Sequence, residues 1–232
     1  MITLRKADSR GYANHGWLES WHSFSFADYQ DPAHMRFGAL RVINDDIVQP
    51  GTGFDTHGHR DMEIVTYILS GRLRHRDSMG NGEDIHSGEI QLMRAGSGVQ
   101  HSEFNPSGSE AVHLLQIWIM PDEQGLAPGY WQKIFPEEAK RGRWCLLASP
   151  DAAEGSLRIH QDALLSAALL DGTEALDYPI PAGRRIYLHV ARGSLQANGY
   201  ELSAGDALMY VNEERVSLAA GSDAKVLLFD LA

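Results

Sequence analysis

The stretch Gly51-Thr52-Gly53-Phe54-Asp55-Thr56-His57-Gly58-His59-Arg60-Asp61-Met62-Glu63 places two histidines two residues apart in a glycine-punctuated segment. In an extended strand residues i and i+2 project from the same face, so His57 and His59 aim both imidazoles to one side. His101-Ser102-Glu103 repeats the arrangement with a histidine and a carboxylate. Two such strands facing each other would bring four metal-binding side chains into one barrel interior. Outward from these segments, short apolar runs rich in Val, Ile, Leu and aromatic residues alternate with turn residues. The pattern predicts strands at 39–44, 63–69, 90–93, 98–103 and 111–119, with Ser78-Met79-Gly80-Asn81-Gly82 as a turn. The expected fold class is all-β.

The alternation breaks at residues 121–142, where Pro121, Pro128, Pro136 and many charges take over. This predicts the connection between two domains, 1–135 and 136–232, with one helical turn near 136–140. Beyond it the strand-and-turn grammar returns. Tyr67-Ile68-Leu69-Ser70-Gly71-Arg72-Leu73 is echoed by Val190-Ala191-Arg192-Gly193-Ser194-Leu195, and Ser87-Gly88-Glu89 by Ala204-Gly205-Asp206. Each half closes on a strongly apolar strand, at 114–119 and 226–229. A repeat this long suggests duplicated β-barrels or sandwiches, not a solenoid.

Composition narrows the function. With 232 residues, 43% hydrophobic and 22% charged, the chain reads as an ordinary globular protein and not a disordered one. Thirty-one acidic residues against twenty basic give a formal charge of −11, which repels phosphate backbones and anionic headgroups. No nucleic-acid or membrane partner is expected. The opening residues turn polar before an apolar leader core forms, and the greasiest stretch, 112–120, contains His113 and Gln116. A lone Cys145 offers neither an internal disulfide nor a thiolate cluster, which fits a reducing cytoplasm. Any metal must therefore sit on nitrogen and oxygen.

Eleven histidines in this length give about half an H-x-H pair by chance, so the first pair alone decides little. The second histidine with a carboxylate two residues on makes coincidence a poor explanation. Three imidazoles and one carboxylate suit a divalent first-row metal with positions left open. Spacing leaves two carboxylates in competition, since Glu63 shares strand parity with His57 and His59. Asp61 shares it too, but beside Arg60 it reads as solvated or as supporting a ligand. The other histidines, His15, His22, His34, His75, His86, His113, His160 and His189, lack a paired context and read as surface or hydrogen-bonded structural residues. Cys145 beside Trp144 reads as a small buried apolar residue. The aromatic stretch 17–26 reads as a half-buried strand and not a ligand platform.

Gly51-x5-His57-x-His59-x3-Glu63 followed by Gly71 resembles the first cupin motif, and Gly88 through Gly98-x2-His101-x3-Asn105 the second. More narrowly, His22-Ser23-Phe24-Ser25-Phe26-Ala27-Asp28-Tyr29, His57-Gly58-His59-Arg60-Asp61-Met62-Glu63 and Ala95-Gly96-Ser97-Gly98-Val99-Gln100-His101-Ser102-Glu103 resemble the pirin family. The match is to its compact bacterial members described as quercetin 2,3-dioxygenases. It implies a bicupin, two jelly-roll-like β-barrels face to face, with one mononuclear metal in the first. It also implies the ligands His57, His59, His101 and Glu103, because the Glu63 position is not a ligand in pirins. Where the family usually has proline between the first two histidines, this chain has Gly58, which loosens the backbone without removing a ligand. The second domain has no H-x-H and no histidine after Gly205, so it reads as a metal-free scaffold.

The resemblance implies a metal-dependent dioxygenase that opens the heterocyclic ring of a flavonol such as quercetin with release of carbon monoxide. Glu103 would act as base as well as ligand, and the partners would be a flavonol-like small molecule and dioxygen. One divalent ion per chain is expected, iron(II) first, although copper, nickel, cobalt, manganese and zinc suit the same donors. A monomer is expected. Two other readings use the same ligands: a non-catalytic, redox-sensing pirin-like regulator, and a metal-dependent isomerase or hydrolase. An apolar, drug-sized opening beside the metal would favour the enzyme over the regulator.

Overall fold

The computed structural model describes all residues, 1–232, in twenty strands and three short 3-10 turns. It divides into two units. The first comprises Gly11–Ile134 with Ile159–Gln161; the second comprises Met1–Arg10, Phe135–Arg158 and Asp162–Ala232. The opening strand, β1 (Ile2–Arg5), belongs to the second unit.

The first unit contains β2 (Gly11–Asn14), β3 (Leu18–His22), β4 (Leu40–Val48), β5 (Gly53–His59), β6 (Glu63–Ser70) and β7 (Arg72–Asp77). It continues with β8 (Gly82–His86), β9 (Glu89–Arg94), β10 (Val99–Phe104), β11 (Val112–Ile119) and β12 (Gly129–Ile134). They form a seven-stranded sheet, β12-β9-β6-β11-β4-β3-β2, and a four-stranded one, β5-β10-β7-β8. Leu18, Val48, Ile68, Val112 and Leu114 of the large sheet meet Leu73 and Ile85 of the small one in a single apolar cluster, so the sheets close on each other as a jelly roll. Burial of each such side chain contributes about 1.5–3 kcal/mol. The small sheet turns one face into this interior. Along β10, Val99, His101 and Glu103 are buried while Gln100 and Phe104 are exposed. β10 lies so close to β5 that a Cβ on Gly53 would sit 2.1 Å from the Glu103 carbonyl oxygen.

The second unit adds β13 (Cys145–Ser149), β14 (Leu157–Arg158), β15 (Ala163–Leu170), β16 (Leu176–Pro179), β17 (Arg185–Ala197), β18 (Tyr200–Ser203), β19 (Ala207–Val211) and β20 (Arg215–Leu231). Its pairings β17 with β19, β17 with β18, β20 with β17 and β15 with β20 reproduce those of β6 with β9, β7 with β8, β11 with β6 and β4 with β11. The repeat read from sequence is thus a repeat of topology. Gly71 (φ 77°) separates β6 from β7; its counterpart Gly193 (φ 70°) lets β17 bend without breaking, against the Ser222 and Asp223 carbonyls. β16 pairs with β20 as β5 pairs with β10, setting Leu176 opposite Leu218 and Tyr178 opposite Val216. Where the first unit has histidines, the second has these apolar side chains packed into its core.

Two expectations need correction. Residues 121–142 are not wholly a linker, because Gly129–Ile134 forms β12 and pairs antiparallel with β9. The domain expected to begin at residue 1 begins at Gly11, since β1 pairs with β19 and Lys6 Nζ reaches Asp206 Oδ2 at 2.9 Å. A single 3-10 turn, Glu137–Ala139, lies in the stretch expected to start a helix. No helix is long and apolar enough to cross a membrane.

Candidate metal centre

Antiparallel pairing of β5 with β10 puts His57 directly opposite His101, and strand parity puts His59 on the same side. The three rings converge, with centroids 4.5–4.8 Å apart. His57 Nε2 lies 3.0 Å from His101 Nε2, and one nitrogen from each ring lies within 4.8 Å of the others. The His57 Nδ1–H donates to the Asp55 carbonyl oxygen at 2.8 Å, which leaves the Nε2 lone pair directed at the cluster. Burial first, then the neighbouring histidines, push His59 down to about 4 and His101 down to about 3. Both rings are therefore neutral at pH 7 and present lone pairs, as metal binding requires. A separation of 3.0 Å between two ring nitrogens is also what two adjacent ligands show at about 2.1 Å from a common ion. The donors fit a divalent transition metal.

Glu103 stands one step deeper. It is buried, its Oε2 accepts from Gln116 Nε2 at 2.9 Å, and its Oε1 lies 3.5 Å from Thr66 Oγ1. It lines the same cavity as His57 and His59 but falls outside the tight three-histidine group, and shares a second, wholly buried group with His101 and His75. His75, read as a surface or hydrogen-bonded residue, is the latter and is buried: it sits opposite Glu103 in the β10–β7 pairing, with Nε2 3.0 Å from Asp77 Oδ2. Sequence held only a weak signal for it, an i, i+2 partner to Asp77, and could not give the register that brings β7 beside β10. Glu63 belongs to neither group. Its Oε1 accepts from the His160 backbone N–H at 3.3 Å, and burial pushes its carboxyl up to about 7. Asp61 accepts from the Gly125 N–H at 2.7 Å and so fastens a loop. Gly58 has no backbone requirement of its own; a Cβ there would meet only the Val99 carbonyl oxygen, at 3.8 Å.

A cavity of 560 Å³ opens onto His57, His59 and Glu103. Phe26, Tyr29 and Trp118 give it aromatic walls, with Phe26 edge-on to Trp118 at 5.4 Å and Trp118 edge-on to His59 at 5.0 Å. Part of the lining is polar: Ser20, His22, Asn44 and Asp46, from β3 and β4, with the His22 ring 5.3 Å from Phe26. The stretch 17–26, read as strand only, thus also supplies cavity wall through His22 and Phe26. The arrangement can bind a metal, stack an aromatic molecule beside it and hydrogen-bond that molecule's polar groups.

Comparison with known proteins agrees with this architecture. The family model for pirin matches residues 3–119, and the model for the quercetinase C-terminal cupin domain matches residues 146–231. The quercetin 2,3-dioxygenase of Escherichia coli K12 is 52% identical over 231 residues, spanning 100% of this chain and 99% of the relative. The crystal structure of YhhW from Escherichia coli superposes with a TM-score of 0.96 at 51% identity, covering 100% of this chain and 98% of the other. The crystal structure of bacterial pirin YhhW in complex with nickel(II), also from Escherichia coli, gives 0.95 at 51% identity, covering 100% and 99%. With a duplicated β-barrel, histidines clustered in the first copy and apolar replacements in the second, and with both halves matched along nearly their whole length, this chain belongs to the pirin family of cupins.

Proposed function

We propose that the protein is a metal-dependent dioxygenase that cleaves the heterocyclic ring of a flavonol of the quercetin type and releases carbon monoxide. The observation that carries this reading is the aromatic-walled cavity of 560 Å³ open to the three-imidazole cluster. It is large enough for a drug-sized planar molecule. The names of full-length relatives support the same reading, and an open cavity supports an enzyme over a sealed redox sensor.

In this proposal His57, His59, His101 and Glu103 hold one divalent ion, iron(II) being the first candidate. When bound, the ion supplies Lewis acidity, which lowers the pKa of a hydroxyl that it contacts. The chain's own groups do the rest. Phe26 and Trp118 hold the planar ring system and exclude water. Glu103 takes the substrate hydroxyl proton on Oε1, while Oε2, which accepts one hydrogen bond from Gln116, would keep its second lone pair for the ion; the Thr66 hydroxyl donates at 2.9 Å to Gln116 Oε1 and stands 3.5 Å from Glu103 Oε1. Gln116 thus fixes which carboxylate oxygen remains available.

The test is an oxygen-electrode assay with quercetin on metal-loaded and metal-stripped protein, with the headspace analysed for carbon monoxide. Oxygen uptake and carbon monoxide in the loaded sample alone are expected. Loaded protein that consumes no oxygen would contradict the proposal, and uptake without carbon monoxide would contradict the ring-cleavage chemistry.

A further inference from the structure

The polar wall of the cavity is a built feature of two adjacent strands. β3 and β4 pair with Ser20 opposite Asp46 and His22 opposite Asn44, and all four side chains are at most 4% exposed. They bond to one another across the strands. The Ser20 hydroxyl donates to Asp46 Oδ1, and the His22 Nδ1–H donates to Asn44 Oδ1 at 2.9 Å with Ser20 Oγ 3.4 Å away. These bonds use one oxygen of Asp46 and the oxygen of Asn44. Asp46 Oδ2 and Asn44 Nδ2 engage no protein partner, yet neither is a sealed orphan, and both residues line the cavity. A buried acceptor beside a buried donor, held rigidly and open only to a ligand space, matches a hydroxyl group on an aromatic ring.

We propose that Asp46 and Asn44 form a hydroxyl-recognition strip that binds a ring hydroxyl of the substrate, separate from the hydroxyl addressed by the metal cluster, and so selects polyhydroxylated flavonols over unsubstituted ones. The proposal rests on the flavonol reading of the cavity. Burial pushes the Asp46 carboxyl up to about 7, against the opposing Ser20 hydrogen bond, so near neutral pH it can accept from a phenol or donate to its oxygen. The aromatic side of the cavity has no such requirement and tolerates any flat ring. Discrimination therefore lies on the β3–β4 side, because a site built to hydrogen-bond a hydroxyl penalises a ligand that lacks it.

The experiment is anaerobic calorimetric titration of metal-loaded protein with quercetin and with 3-hydroxyflavone, which keeps the hydroxyl next to the carbonyl and lacks every other one. The wild type should bind quercetin about ten- to a hundredfold more tightly, the range for a hydrogen bond to a buried polar group. Asp46→Leu should bring the two affinities within about threefold by weakening quercetin alone. Asp46→Asn keeps the volume and an acceptor for Ser20, and at pH 8 it should shrink the preference without lowering melting temperature or metal content. Equal wild-type affinities, or a preference that survives in both Asp46 variants, would overturn the strip. If neither flavonol binds the loaded wild type, the flavonol reading itself fails, and that outcome is distinct from tight but unselective binding.

Discussion

Replacing Gln116 by leucine, which keeps the approximate volume and removes the amide, should weaken metal binding by a calculable amount. The Gln116 Nε2–H donates to Glu103 Oε2 at 2.9 Å, and hydrogen bonds to a charged group are worth about 1.5–3 kcal/mol. Part of this is recovered. The Thr66 hydroxyl, which bonds Gln116 Oε1 at 2.9 Å, is then free to turn to Glu103 Oε1, now 3.5 Å away, restoring about 1 kcal/mol. The remaining loss, about 0.5–2 kcal/mol, corresponds to about a two- to thirtyfold rise in metal Kd. Its upper end overlaps the range of about ten- to a hundredfold found when a partner of a metal ligand is removed. Competition against a chromophoric chelator on metal-stripped protein measures it, with the melting curve as a check on folding. In Gln116→Leu/Thr66→Val the compensation is gone, so the loss should exceed the sum of the two single changes. A metal Kd within twofold of wild type in both variants would refute the idea that these residues hold Glu103 on the ion.

Other changes probe different parts of the account. Glu103→Gln should keep much of the metal and lose most turnover, read by metal analysis beside oxygen uptake; unchanged turnover would remove Glu103 from the proton transfer. Glu63 is ordinarily ionised above 4.5 but is held up to about 7 by burial, so its contribution to stability is complete below 4.5 and is lost as pH rises through about 7. Glu63→Gln, which can still accept from the His160 N–H, should therefore raise the melting temperature at pH 8, with a ceiling of roughly 3 kcal/mol, and the gain should shrink toward pH 5. Equal gains at both pH values would contradict that sign. Gly53→Ala places a methyl 2.1 Å from the Glu103 carbonyl oxygen, and should cost about 1–3 kcal/mol in a denaturant titration while lowering metal content by spreading β5 from β10.

The histidine parities were legible because a strand's two-residue period is local: His57 and His59, and His101 and Glu103, share faces whatever the rest of the chain does. What pairs with what was not. His75 joins His101 and Glu103 only through the register of β7 on β10, and β1 reaches β19 across most of the chain, so neither contact leaves a mark in neighbouring residues. β12 was hidden for another reason. As the outermost strand of its sheet it pairs on one side only, so Trp131 and Ile134 are exposed and no clean alternation develops between the prolines. The choice between Glu63 and Glu103 also exceeded spacing. Parity admits both, and Glu63 is drawn off by the backbone of His160, far along the chain. The apolar character of Leu176, Tyr178, Val216 and Leu218 was visible in sequence, but only topology identifies them as the counterparts of the histidine-bearing positions.

Two overlapping groups of donors make the central claim directly testable: His57, His59 and His101 on one side, and His75, His101 and Glu103 on the other. Anomalous diffraction at the metal edge from crystals of the loaded protein locates the ion. The account predicts one peak bonded to His57, His59, His101 and Glu103, with His75 still turned to Asp77. A peak bonded to His75, or no peak among these imidazoles in a protein that carries stoichiometric metal, would contradict it.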